Sequence, residues 1–231
     1  FSLEEMTLKI HKALEKKILN EVMRALSESF TLRQSLPQVH DILQKLIPFD
    51  ISLCTRIDVK TNQFMAYSHT GQLPDFLIKG PVDMSGSLTK QASNEKMGFI
   101  NNDLEKGEYR YDKRMHEAGL ESLLVQPLIH RNQLIGSLVL FSKAKNAFSP
   151  AYFGLLGLVG NMIAVSMENS TLIDQIVENE QKFRSLVETM NNGLVELDDS
   201  FHILYANDKF LDLIHRPISE VHGHYIFDFV Y

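Results

Sequence analysis

Between residues 3 and 30, Ile10, Leu14, Ile18, Val22 and Ala25 recur every three or four positions, and Lys and Glu fill the other face. That is the period of an amphipathic helix. A second helix is predicted over about residues 36–46, ended by Pro48. The period then shortens to two. Ile51, Leu53, Thr55, Ile57 and Val59 alternate with Ser52, Cys54, Arg56 and Asp58, so the segment reads as a strand. Lys60-Thr61-Asn62-Gln63 makes a turn, and residues 64–69 return as its hairpin partner. Residues 70–118 carry no long periodic element and are punctuated by Gly71, Pro74, Gly80, Pro81, Gly86, Gly98 and Gly107. So long an irregular stretch inside a compact domain is usually functional. Two strands follow, residues 120–129 and 133–141, turning at His130-Arg131-Asn132. Residues 150–190 read as one helix without an internal proline. Beyond it, residues 193–197 and 202–205 form strands around Asp198-Asp199-Ser200, and residues 207–214 a short helix closed by Pro217.

The order helix, helix, hairpin, insert, hairpin, long helix predicts an α+β fold: an antiparallel sheet with flanking helices on one face. The insert would cover the other face and leave a cavity between. The long helix then connects to a partial α/β segment. The expected division is an α+β domain with its N-terminal helix over 1–170, a helical linker over 171–190 and an incomplete domain over 191–231.

Composition narrows the chemistry. The net charge is −6 and acidic and basic residues are interspersed, so nucleic acid is not an expected partner. The single cysteine, Cys54, excludes an internal disulfide and a cysteine zinc cage. It fits a reducing cytoplasm. No apolar run reaches the roughly 20 residues of a membrane helix, so no membrane segment is expected in these residues. The chain opens with Phe1 rather than Met, which suggests a piece of a longer protein that could carry an anchor elsewhere.

The run Gly119-Leu120-Glu121-Ser122-Leu123-Leu124-Val125-Gln126-Pro127-Leu128 resembles the GAF family. So do residues 135–142, Ala147-Phe148-Ser149, residues 163–169 and Asn102-Asp103-Leu104. The resemblance covers about residues 15–170. A second one begins at Glu180: residues 180–188, 193–198, 203–210 and 219–223 are similar to the opening of a PAS domain. The chain stops at Tyr231, before the strands such a domain still needs. Together they imply a cytoplasmic signal-sensing module, most commonly of a sensor histidine kinase, with the input region of a diguanylate cyclase as an alternative. A structural dimerisation and relay module without ligand is the rival from another class.

The resemblance also frames the candidate chemistry. Bilin-binding GAF domains use a cysteine in the insert; none lies between Gly71 and Gly119, so covalent bilin is not expected. Haem on His69 or His116 is conceivable, although rim histidines are the commoner outcome. His222 and His224 are two ligands without a third, so no metal site is expected. One cysteine cannot support the disulfide chemistry of the methionine-sulfoxide reductases on this scaffold. Neither a phosphoacceptor motif nor a cyclase signature is present, and the segment itself is expected to be non-catalytic. Asp198-Asp199 reads as a solvated turn.

Three structural expectations follow. Ser122 and Gln126 should face the cavity, with Tyr67, His69, Phe99, Asn101 and Tyr109 completing it, while Leu123, Val125, Pro127 and Ile129 pack under the terminal helices. Leu155, Met162, Asn169, Ile176, Phe183 and Met190 stand seven apart, and Leu158, Val165, Leu172 and Leu186 accompany them. This heptad predicts a parallel homodimer seam with Asn169 fixing the register. The PAS fragment, with few strands, should bind no cofactor alone and should pair its edges with another chain.

Overall fold

The computed structural model describes residues 3–28, 31–58, 61, 63–83 and 85–229. Val59, Lys60 and Asn62, which close the first predicted strand and begin its turn, lie outside them. Contacts divide the chain into two compact units, Phe1–Ser170 and Thr171–Tyr231.

In the first unit, α1 (Leu3–Glu28) and α2 (Leu32–Gln44) precede the hairpin β1 (Ile51–Asp58) and β2 (Gln63–Thr70). The predicted stripe of α1 is buried only in its second half. Ile18, Val22 and Ala25 pack inward, whereas Ile10 and Leu14 are exposed. Helix α2 starts a turn earlier than its sequence suggests and tolerates Pro37, because Leu32, Leu36, Val39 and Leu43 on one face are buried. Tertiary burial overrides the local cost of proline.

The insert is less irregular than its glycines imply. It contains α3 (Asp75–Ile78), α4 (Leu88–Glu95), the strand β3 (Phe99–Asn101) and α5 (Arg110–Glu117). Next come β4 (Ser122–His130) and β5 (Gln133–Ser142), and then α6 (Tyr152–Thr189). The five strands form one antiparallel sheet in the order β2-β1-β5-β4-β3.

Alternation along these strands builds two cores. On one face, Cys54, Leu124, Leu128, Leu138 and Leu140 pack against α1, α2 and α6. On the other, Ile51, Leu53, Leu123, Val125, Val139 and Phe141 pack against the insert. Helix α6 buries Leu155, Leu156, Val159, Ile163, Ala164 and Met167 on the first face. Gly160 permits the close approach, since a Cβ there would lie 3.3 Å from Gln126 and 3.4 Å from Leu128.

The second unit holds β6 (Val195–Leu197), β7 (Ile203–Ala206) and α7 (Asp208–Ile214), over a core of Ile203, Ala206, Phe210, Val221 and Ile226. Buried Asn207 organises it. Its Nδ2 donates to the carbonyls of Val187 (2.9 Å) and Asn192 (3.1 Å). Its Oδ1 accepts from the amides of Leu194 (2.8 Å) and Phe210 (3.0 Å), which also caps α7.

Candidate functional site

A cavity of about 40 Å³ lies between the insert face of the sheet and the helices α3, α4 and α5. Strand residues Leu53, Phe64, Val139 and Phe141 form its floor; Leu77, Leu88 and Met115 roof it. Ser87 starts α4 by accepting from the amide of Lys90 at 3.1 Å, which sets Leu88 and Thr89 against the cavity. Asp112 and Met115, one helical turn apart on α5, point to the same space. Asp112 is 1% exposed. Asn101 Nδ2 donates to its Oδ2 at 2.8 Å, so β3 and α5 are joined through the site. Gly107 makes room for that carboxylate: a Cβ there would sit 2.3 Å from Asp112 Oδ2. Burial raises the Asp112 pKa above the usual carboxylate value, with the Asn101 hydrogen bond acting against it.

The rest of the insert is laced to its surroundings. Arg114 stacks 3.7 Å from the Phe76 ring centroid, Tyr111 Oη donates to the Asp83 carbonyl at 2.7 Å, and Tyr109 donates to Gln91. Asn102 brackets Phe148, donating to its carbonyl (2.8 Å) and accepting from its amide (3.1 Å). The motif at residues 102–104 is therefore a structural clamp between the insert and the chain leading into α6.

The cavity residues expected from the sequence are divided by the sheet, and the predicted facing of β4 is reversed. Ser122 and Gln126 lie on the helix side: Ser122 Oγ donates to the carbonyls of Ala144 (2.8 Å) and Asn102 (3.2 Å), and Gln126 packs beside Gly160. Leu123 and Val125 face the insert instead. Ser122 thus serves two loop carbonyls, and Gln126 donates to the adjacent Pro127 carbonyl, rather than either lining the cavity. Tyr67 also belongs to the helix side, with Arg33 over its ring at 5.4 Å, and His69 is exposed. Phe99, Asn101 and Tyr109 are on the insert side, with Asn101 one hydrogen bond from the cavity wall. Asp112 and Thr89 were not singled out by sequence. The available signal was a carboxylate three residues before Met115 on the inward stripe of a short helix.

Two other buried groups bear on chemistry. Burial pushes the Cys54 thiol up to about 12, far from the reactive range. His40, 1% exposed on α2, has no hydrogen-bond partner for either ring nitrogen among the described residues, and burial with nearby His69 lowers its pKa to about 4. At the surface, His116 pairs with Glu121, Nδ1 to Oε1, at 3.2 Å. Among the described residues no group of three His, Cys, Asp or Glu could hold a metal.

The sheet, its two helical layers and the following segment can be compared with known proteins. Residues 31–168, more than half of the chain, match the family model of the GAF domain. The chain belongs to the GAF domain family. Residues 181–230 match the model of the PAS domain, so a GAF domain is followed by a PAS domain and the two mark a signal-sensing regulatory module. The GAF domain of a phosphoenolpyruvate-protein phosphotransferase from Coxiella burnetii is 16% identical, with a TM-score of 0.62, and the match covers 70% of this chain and 96% of that one. Its counterpart from Acinetobacter is 16% identical, TM-score 0.60, covering 70% and 97%. A free methionine-R-sulfoxide reductase from Neisseria meningitidis, solved with its substrate, is 15% identical, TM-score 0.60, covering 70% and 92%. At these identities the likeness is one of fold. No curated protein matches the chain significantly.

Along the face turned away from the GAF sheet and beyond it, α6 and the residue after it leave apolar side chains uncovered. Ile176 is 66% exposed and Phe183 67%, and Leu158, Val165, Leu172, Leu186 and Met190 are also exposed. Asn169 is exposed and Met162 half-buried. Leu155 departs from the expected seam, because it is buried against the GAF core. The uncovered stripe thus begins at Leu158, with alternate spacings of four and three, and is interrupted by two asparagines, Asn169 and Asn179. No helix of the described residues is long and apolar enough to cross a membrane.

Proposed function

We propose that this chain is the cytoplasmic input region of a sensor histidine kinase, in which a small molecule in the insert-side GAF cavity biases the packing of α6 in a parallel homodimer. One observation carries the reading. A single helix is anchored by six buried residues to the GAF sheet and then continues as an exposed apolar heptad in the residues that precede the PAS segment. An exposed stripe of this period is stable in water when two copies bury it together. A polar Asn169 within it favours pairing with itself, which selects a parallel register. The order GAF domain, helix, PAS domain supports an input role. The inert, buried Cys54 supports a non-catalytic one, since sulfoxide reduction needs reactive thiols.

The small volume of the cavity favours a second reading, a packed GAF core that only dimerises and relays. Native mass spectrometry of the purified chain separates the two, because a retained small molecule supports sensing and a ligand-free dimer supports relay alone. Sedimentation at high micromolar concentration tests what they share: both require a dimer, and a monomer defeats both.

A further inference from the structure

The wall of the insert-side cavity is apolar almost throughout, and the charge it does carry has one sign. Asp112 is the carboxyl group on it, and no Lys, Arg or His among the described residues lines it. The nearby Arg114 is occupied outside, over Phe76 and Tyr111. An ionised carboxylate offers about four acceptor positions. Asp112 lines the cavity and receives the Asn101 amide and a backbone hydrogen bond at Tyr109, which together take up two of those positions. Thr89, 6% exposed, lies on the same wall and carries a hydroxyl. A buried carboxylate gains from any N–H donor or positive charge brought to it, and an anion entering there meets a like charge without a compensating cation.

We infer that the cavity takes a small molecule with an apolar body and an amine head, the ammonium donating to Asp112 and Thr89, and that it rejects anions. The inference rests on the sensor reading above and gives that site its ligand class. About 40 Å³ is room for roughly three waters, so the apolar body has a few carbons. Nucleotides are excluded on both size and charge.

The test uses three probes with one body, propylamine, propanol and propionate, added to the full chain at matched ionic strength. The methyl resonance of Met115, which lines the cavity, reports binding by NMR, and Met115→Leu identifies the signal. Propylamine is expected to move it with roughly tenfold higher affinity than propanol, the margin of a charge-assisted hydrogen bond over a neutral one, and propionate not at all. Asp112→Asn should erase the amine's advantage and leave propanol unchanged. If that variant does not fold, the wild-type chain gives the same answer: amine binding weakens as the pH is lowered and Asp112 takes up a proton, while propanol binding does not. Propanol binding as well as propylamine, or propionate binding best, overturns the ligand class while keeping the cavity as a site. Failure of all three to move the Met115 methyl overturns the cavity as a sensing site too.

Discussion

The two faces of the GAF sheet are built from the same strands and treat buried polarity in opposite ways. The helix face packs Leu124, Leu128, Leu138 and Leu140 against three helices, and an imidazole buried among these helices, His40, has no partner for either nitrogen among the described residues. The insert face packs Leu123, Val125, Val139 and Phe141 under short helices, and its buried ionisable group, Asp112, is hydrogen-bonded and borders a cavity. Long helices with continuous apolar stripes fill space completely and force a misplaced imidazole to stay neutral. Short helices tied by side-chain hydrogen bonds leave space and hold a carboxylate within it. The second arrangement is the one a ligand can use.

Adjacent leucines of β4 give the largest expected contrast. Leu124→Ala, on the closely packed face, should cost about 4 kcal/mol in urea or thermal unfolding. Leu123→Ala should cost about 3 kcal/mol, since its side chain already borders an unfilled space. Equal costs, or the reverse order, would remove the distinction between the faces.

His40 sets the next effect. Its folded pKa of about 4 lies below the ordinary 6.5, so the unfolded chain binds the extra proton. The stability it contributes is full above pH 6.5 and is lost as the pH falls toward 4, by about 3 kcal/mol in all. His40→Phe should flatten that part of the profile; an unchanged acid slope would show that the imidazole is solvated in the native state.

The contrast between covered and uncovered surface continues along α6, where Leu155 is buried and Asn179 stands exposed within the apolar stripe. Asn179→Leu should tighten the dimer by about 2 kcal/mol, read as a lower dissociation constant in sedimentation. Asn169→Leu should tighten it as well while loosening its register. Weaker association in either variant would place these residues off the seam.

Asp112 gives the smallest expected effect, opposite in sign to that of His40. Its folded pKa is raised, so its contribution to stability is present at low pH and is lost as pH rises above the ordinary carboxylate range through its folded value. Asp112→Asn should remove this shallow slope, and a slope that persists would assign it to another carboxylate.

Much of the fold was legible because its long elements are strongly periodic. The alternation of β1 and β5 and the proline-free run of α6 are visible without a structure. The insert helices were not, because α3 has four residues and α4 and α5 eight each, too few for a helical period to emerge among glycines. The facing of β4 misled for a physical reason. Ser122 and Gln126 share their face with Leu124 and Leu128, and polarity at two positions suggested solvent or ligand. The structure uses them for carbonyls at Ala144 and Asn102 and for contact beside Gly160. The clamp at Asn102 and the capping Asn207 were both noticed as motifs, but their roles depend on partners far away in sequence. The apolar stripe of α6 was legible except at Leu155, whose burial is decided by the sheet beneath it.

In the proposed dimer two copies of α6 run parallel beyond the GAF domain. Spin labels on cysteines placed singly at Ser170, Val177 and Arg184, successive positions of one heptad face, measure it most directly by their distances between protomers. Cys54 is buried with its thiol pKa near 12 and should remain unlabelled. A parallel seam in register predicts the same narrow distance at all three positions. An antiparallel pair cannot make all three equal, because each step of seven residues moves the labels about 10 Å along each helix in opposite directions. Three equal distances are the predicted result; unequal distances, or no distance between protomers at all, would contradict the account.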